Sequence, residues 1–157
     1  MASQKITTSL WFNTEAEDAA KFYVLVFGGG SRVVSVDRMG EDGAVMSVSF
    51  ELGGQRYIGI NGNTKQTFND SISLMIACED QPEVDLFWDK LLAGGGKPTQ
   101  CGWLKDKFGV SWQVVPNGLM KVLQEKDPVK SGRVIQAFMA MQKIDLAALE
   151  RAREGTS

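Results

Sequence analysis

The residues best able to do chemistry gather in one stretch, Cys101-Gly102-Trp103-Leu104-Lys105-Asp106-Lys107-Phe108-Gly109-Val110-Ser111-Trp112-Gln113-Val114-Val115-Pro116. It offers a thiol at Cys101, a carboxylate at Asp106 and an amide at Gln113. A thiol becomes a nucleophile once a neighbouring base or positive field makes it a thiolate. A carboxylate at a pocket mouth can move a proton, and an amide can orient a carbonyl or hydroxyl. The chain contains no histidine, which removes the commonest metal ligand and the usual general base near neutral pH. Each group also has a plainer reading. Cys101 is then an inert thiol, Asp106 a turn residue and Gln113 an amide in a structural hydrogen-bond network.

The stretch reads as a hairpin. Lys105 to Gly109 is polar and turn-like, and Val110 to Val115 is rich in the residues that favour strands, with Pro116 as a stop. Strand side chains alternate, so Val110, Trp112 and Val114 share one face, while Ser111, Gln113 and Val115 share the other.

The elements around this hairpin follow in order. Lys5 to Phe12 is a first strand. Asn13-Thr14 offers a cap for an apolar helix carrying Ala16, Ala19, Ala20, Phe22, Tyr23, Val26 and Phe27, and Gly28-Gly29-Gly30 ends it. A phosphate-binding glycine loop should precede a helix, so this triplet reads as a C-terminal stop. Strands are expected at Arg32 to Arg38, with Val34 and Val36 on one face, at Val45 to Leu52 and at Gln55 to Ile60. The last two are joined by a tight Gly53-Gly54 turn. Asn61 follows, either as a turn residue or as a ligand contact. The order then begins again with a strand from Ser71 to Cys78, a helix opening at Asp80-Gln81-Pro82 and a second glycine triplet. Strands at Lys97 to Leu104 and Val110 to Val115 complete the second half. Beyond Pro116 the pattern is helical, with Asp145 as the cap of a last helix.

Composition narrows the function classes. A chain of 157 residues with 43% hydrophobic and 23% charged residues has the makings of a globular core. A net charge of -2 without a basic cluster argues against a nucleic-acid surface. No apolar run approaches the ~20 residues of a membrane span, and the first residues lack a signal-peptide core. A cytoplasmic location is the default expectation. In that reducing setting Cys78 and Cys101 are expected to be free thiols.

Several segments together resemble the vicinal oxygen chelate superfamily, the glyoxalase, bleomycin-resistance and extradiol-dioxygenase group. The nearest likeness is to its PhnB-like branch, the 3-demethylubiquinone-9 3-methyltransferase domain family. The matching pieces are Leu10-Trp11-Phe12, Phe22-Tyr23, Phe68-Asn69, Asp80-Gln81, Glu83-Val84-Asp85, Trp88, the hairpin stretch and Met141-Gln142-Lys143-Ile144-Asp145. The resemblance implies an α+β fold of two βαβββ modules, about 4–62 and 68–116. Their curved mixed sheets would surround a cup, with a helical tail over about 117–157, the whole forming one domain. It also implies a homodimer, and a divalent metal held by His and Glu from the first and last strands of each module. Here Gln113 falls where many relatives carry the last-strand Glu, and Ser73 and Thr8 fall near the first-strand positions. Ile58 or Ile60 occupies the remaining one. Hydroxyls and a neutral amide replace imidazole and carboxylate poorly at such a metal. No metal or other cofactor is therefore predicted. The methyltransferase label finds no support in a glycine-rich turn between a first strand and a helix, the usual seat of a methyl donor.

The leading expectation is a small-molecule-binding protein with a metal-free cup. The candidate lining residues are Thr8, Trp11, Asn61, Ser73, Met75, Trp103 and Gln113. Trp11, Trp103 and Phe68 would wall an aromatic or quinone-like ligand, or else serve as packing. The rival is a metal-independent enzyme on a similar molecule, using Asp106 or Cys101 with Gln113. A third possibility is a structural dimer whose cup is filled by side chains.

Overall fold

The computed structural model describes residues 4–41, 43–63 and 65–156, in two compact units that divide at Thr67 and Phe68. The first unit runs β1 (Thr8–Phe12), α1 (Ala16–Phe27), β2 (Arg32–Arg38), β3 (Val45–Leu52) and β4 (Gln55–Asn61). Its sheet has the order β1-β4-β3-β2. The β1–β4 pair is parallel and the others antiparallel. The second unit repeats the plan with β5 (Leu74–Cys78), α2 (Gln81–Leu92), β6 (Lys97–Pro98), β7 (Trp103–Lys105) and β8 (Ser111–Pro116). Its order is β5-β8-β7-β6, again with one parallel pair, β5–β8. Three helices follow, α3 (Leu119–Leu123), α4 (Pro128–Ala140) and α5 (Leu146–Glu154). The fold is thus α+β, two four-stranded mixed sheets of βαβββ plan and a helical tail.

Each sheet buries one face under its helix. In the first unit Ala16, Ala19, Ala20, Tyr23 and Val26 of α1 are buried with Leu10, Phe12, Val48, Phe50 and Leu52. Tyr23, Phe50 and Tyr57 form a row of rings, with Phe50 and Tyr57 stacked at 5.5 Å. In the second unit Val84, Phe87, Trp88 and Leu91 of α2 are buried with Ile76, Leu104, Trp112 and Val114. The face division expected for β8 is the observed one: Trp112 and Val114 lie inside, and Gln113 and Val115 are half-buried.

The tail has a core of its own. Leu119, Val122, Val134, Ile144 and Leu149 are buried together, and Val115 of β8 packs against them. Asp127 and Asp145 cap α4 and α5 through their carboxylates, as Asp80 caps α2. Among the described residues no helix is long and apolar enough to cross a membrane.

Three local expectations change. First, β2 carries an irregularity between Val33 and Ser35, so Val33 and Val36 oppose Phe50 and Val48 on the buried face. Val34 is the exposed extra residue and does not share a face with Val36. Second, the strand expected over Lys97 to Leu104 is broken by a turn at Cys101-Gly102, where both residues have positive φ (55° and 83°) and the Trp103 N–H bonds the Gln100 carbonyl. Third, the cap of α1 is not Asn13-Thr14. Glu15 holds the N-cap position without a side-chain bond. The Ala16 N–H is instead accepted by the Asn61 side-chain oxygen at 2.9 Å, reaching over from β4, while the Asn61 amide donates to the Val45 carbonyl at 3.1 Å.

Asn61 therefore ties α1 to both central strands. Asn61→Ala is expected to lower stability by about 1–2 kcal/mol in urea unfolding, because it leaves a helix-terminal N–H and a strand carbonyl without their partner. An unchanged midpoint would remove this role.

Candidate functional site

The face of each sheet turned away from its helix carries the side chains left for function. In the second unit strand register aligns three of them across the sheet. Met75 of β5 is opposite Gln113 of β8, and Gln113 is opposite Trp103 of β7. Directly opposed residues project to the same side, so Met75, Gln113 and Trp103 form one continuous row. Ser73, two residues before Met75, lies on the same side, and its Oγ accepts the Gln113 Nε2–H at 2.7 Å. Met75 is 66% exposed, and Ser73, Trp103 and Gln113 are half-buried. The row is apolar at both ends and polar in the middle.

A second row borders it. Lys105 is opposite Ser111, and the Ser111 hydroxyl donates to Asp70 at 2.7 Å. The Asp70 carboxylate also meets Lys105 Nζ at 3.2 Å. The Ser111 hydrogen bond and then the Lys105 ammonium hold the Asp70 carboxyl below the usual carboxylate range. The lysine charge beside the first row is thereby balanced, and the surface around Gln113 carries no unpaired cation from Lys105. Sequence reasoning passed over Asp70, Lys105 and Ser111. Asp70 sits in a polar loop, and only the β7–β8 register brings the other two beside it.

The first unit shows what the same plan yields with other residues. β1 and β5 have the same length and the same alternation of exposure, and Ser9 is opposite Ile58 as Met75 is opposite Gln113. Ile58 is therefore the counterpart of Gln113. By the same alignment the counterpart of Ser73 is Thr7, not Thr8. Thr8 stands on the side of Leu10 and Phe12, the helix-packed face, because strand side chains alternate. Trp11 does lie on the outer face, half exposed, where a Cβ on Gly62 would overlap its indole. Thr8 and Trp11 therefore project to opposite faces and cannot line one surface together. Asn61 falls on the helix side with its amide occupied, as described above.

The two groups proposed for proton or nucleophile chemistry lie elsewhere. Asp106 is buried at 3% exposure inside the β7–β8 turn. Its Oδ1 accepts the N–H groups of Phe108 (2.8 Å) and Val110 (3.1 Å), and its Oδ2 accepts the Trp112 indole N–H at 2.8 Å. Cys101 turns its thiol to the Phe138 carbonyl of α4 at 3.6 Å. Both cysteines are free thiols, and burial, reinforced by nearby Glu83, pushes the Cys78 thiol up to about 11, out of range for a thiolate near neutral pH.

The donor set does not fit a catalytic transition metal. The positions that the resemblance implies as ligands, Gln113, Ser73, Thr8 and Ile58 or Ile60, include no imidazole or carboxylate, and neither does Thr7, which stands at the register place of Ser73. Among the described residues no three His, Cys, Asp or Glu side chains gather closely enough to hold an ion.

Asp106 is a structural acceptor, and this has a measurable consequence. Asp106→Ala leaves three interior donors without their acceptor and is expected to cost about 3 kcal/mol or more in urea unfolding. Asp106→Asn, which keeps one oxygen, should cost less. A proton-transfer residue at a pocket mouth would leave stability nearly unchanged.

Comparison with known proteins agrees with this architecture. The family model described as 3-demethylubiquinone-9 3-methyltransferase matches residues 4–115. No curated protein matches the chain. Among solved structures, the PhnB protein from Bacillus cereus is 36% identical over 72% of this chain and 99% of its own, with a TM-score of 0.65. Protein PA1353 from Pseudomonas aeruginosa shares the fold at 19% identity, over 73% of this chain and 98% of its own, with a TM-score of 0.59. The fosfomycin resistance protein FosX from Mesorhizobium loti does so at 12% identity, over 80% and 100%, also with a TM-score of 0.59. On the strength of the matched family segment and the two βαβββ sheets, the chain belongs to the PhnB-like 3-demethylubiquinone-9 3-methyltransferase family of the vicinal oxygen chelate superfamily.

Proposed function

We propose that this protein binds a small, partly apolar, uncharged organic molecule on the Met75–Gln113–Trp103 row, without a metal ion. The observation that carries this reading is the Ser73–Gln113 hydrogen bond flanked in register by Trp103 and Met75. An aromatic ring and a thioether offer apolar contact to a planar ligand, and the amide and hydroxyl between them fix its orientation. The neighbouring Lys105 is matched by Asp70, so the surface is not tuned to an anion. Trp11 would be a contact of the same kind on the first sheet. A second copy of the chain is the proposed partner, as the family resemblance implies, and the cytoplasm the proposed location.

Binding is favoured over catalysis by where the reactive groups lie. The Asp106 carboxylate is occupied by its own hairpin, and the Cys101 thiol points at the tail. Methyl transfer, named in the family description, finds no seat in the glycine triplets either. Gly28–Gly30 follows the C-terminus of α1, and Gly94–Gly96 follows that of α2. A quinone-like ring remains the best-fitting ligand class.

The test uses the full chain purified gently, with native mass spectrometry, metal analysis and calorimetric titration by duroquinone, whose fully substituted ring resists thiol addition. A bound organic mass or duroquinone binding without stoichiometric metal is expected. Gln113→Ala and Trp103→Ala should each weaken duroquinone binding about tenfold, the equivalent of one good contact, with little change in melting temperature. Equal loss of folding and binding would make both residues structural. A divalent ion bound one per chain and required for binding would overturn the proposal, as would the lack of any bound organic mass together with no duroquinone binding.

A further inference from the structure

The tail, including the Met141 to Asp145 stretch read from sequence as part of the resemblance, lies outside the segment that the family model matches, which ends at residue 115. It is nevertheless bonded to the turn that precedes Trp103. The Cys101 and Gly102 N–H groups donate to the Met141 carbonyl at 2.8 Å and the Gln142 carbonyl at 2.7 Å. The Gly102 carbonyl in turn accepts the Val114 N–H of β8 at 2.8 Å. The turn is thus wedged between β8 on one side and the tail on the other. A Cβ on Gly102 would fall 2.6 Å from Ile144 Cδ1 and 3.0 Å from the Val114 carbonyl oxygen, so a side chain there would have to displace the buried Ile144. Cys101 is held in a left-handed conformation that a non-glycine residue seldom adopts unaided.

The same tail segment is gripped from α2. The Gln81 side chain donates to the Ile144 carbonyl at 2.9 Å and accepts the Leu146 N–H at 3.1 Å, so that one amide reads the tail backbone as a neighbouring strand would. Lys143 pairs with Asp85 at 2.7 Å on the surface beside it. Gln81 and Asp85 of α2, the Cys101-Gly102 turn and the tail segment Met141 to Leu146 are far apart in the chain and converge here.

We infer that residues 141–146 form a clamp that sets the position of Trp103, and that Gln81 is the positioning residue that closes it. This rests on the reading of the Met75–Gln113–Trp103 row as the binding surface. Gln81 touches neither that surface nor its ligand. It acts by fixing the tail at Ile144 and Leu146, just beyond the Met141 and Gln142 carbonyls that hold the Cys101-Gly102 turn. Trp103 is the next residue, and its N–H closes the same turn onto Gln100. The clamp orders one wall of the site in advance, which lowers the ordering cost of binding.

The test reads Trp103 directly, with no ligand. In a full-length Trp11→Phe background the other indoles, Trp88 and Trp112, are buried at 6% and 1% exposure, so acrylamide quenching reports on Trp103. Gln81→Ala should raise that quenching about twofold and speed hydrogen exchange at the Cys101 and Gly102 amides, as expected for local opening. Gln81→Glu keeps the acceptor for Leu146 and should lie between. Asp85→Ala, which removes both the Lys143 pair and the acceptor of the Gln81 Nε2–H at 3.2 Å, should shift both readouts the same way by less and serves if Gln81→Ala does not fold. Duroquinone affinity should fall in the same order while the Trp112 signal stays fixed. Faster exchange at both amides with unchanged Trp103 quenching would overturn the inference and leave the binding proposal standing. Unchanged exchange and quenching in folded Gln81→Ala would overturn it too. Altered quenching with unaltered duroquinone affinity would count against the binding surface, not the clamp.

Discussion

A carboxylate with almost no solvent exposure holds the most informative part of this protein together. Asp106 collects two backbone N–H groups of its own turn and the indole N–H of Trp112. A buried carboxylate is tolerable only when its oxygens are satisfied, and here the donors come from the residues that must turn the chain and begin the next strand. The consequence reaches across the sheet. With the Trp112 ring bonded inward and packed under α2, the pleat leaves Gln113 no choice but the outer face. The β7 residue opposite Gln113 is Trp103, and the β5 residue is Met75. One interior acceptor therefore helps set which side chains the outer face presents.

The two sheets show how one backbone plan can carry different chemistry. In the first, the pair equivalent to Ser73 and Gln113 is Thr7 and Ile58, and the amide that could have served a ligand, that of Asn61, is spent capping α1. In the second, Asp80 caps α2 locally, and the sheet keeps its amide free to meet a hydroxyl on the outer face. Asn61 stands on the helix side because β4 alternates, and there its oxygen supplies the acceptor that the residues ahead of α1 do not. A polar group oriented by the core is then no longer part of the outer surface.

The tail adds a layer beyond the matched family segment. Its own apolar cluster makes it a folded element, and Val115 joins that cluster to β8. Its hydrogen bonds to the Cys101-Gly102 turn and to Gln81 involve backbone groups and a side-chain amide, whose geometry is directional, whereas the Lys143–Asp85 pair on the surface adds little. Directional bonds locate a turn; apolar packing alone would allow it to slide.

Much of this was legible in the sequence, for reasons of local physics. The alternation in Val110 to Val115 assigned both faces of β8, Gly53-Gly54 marked a hairpin, and the glycine triplets marked the ends of two apolar helices. The absence of histidine by itself narrows the metal chemistry open to the chain. These properties depend on a residue and its near neighbours, so the linear order contains them. What only the tertiary structure decided depends on partners far apart in the chain. The extra residue in β2 moved Val34 off the face of Val36, and the phase of β1 put Thr7 rather than Thr8 at the place of Ser73. In both cases a shift of one residue reverses the face, and pattern alone does not fix the phase. Asn61 reads as a turn residue or a ligand contact until Ala16, 45 positions earlier, is seen to donate to it. Asp106 reads as a turn former more than as an acid, and only the placement of Trp112 beside it shows a buried acceptor. The convergence of Gln81, Cys101-Gly102 and the tail is invisible in the linear order, because a backbone carbonyl is the same at every position and only folding selects which one a given N–H will meet.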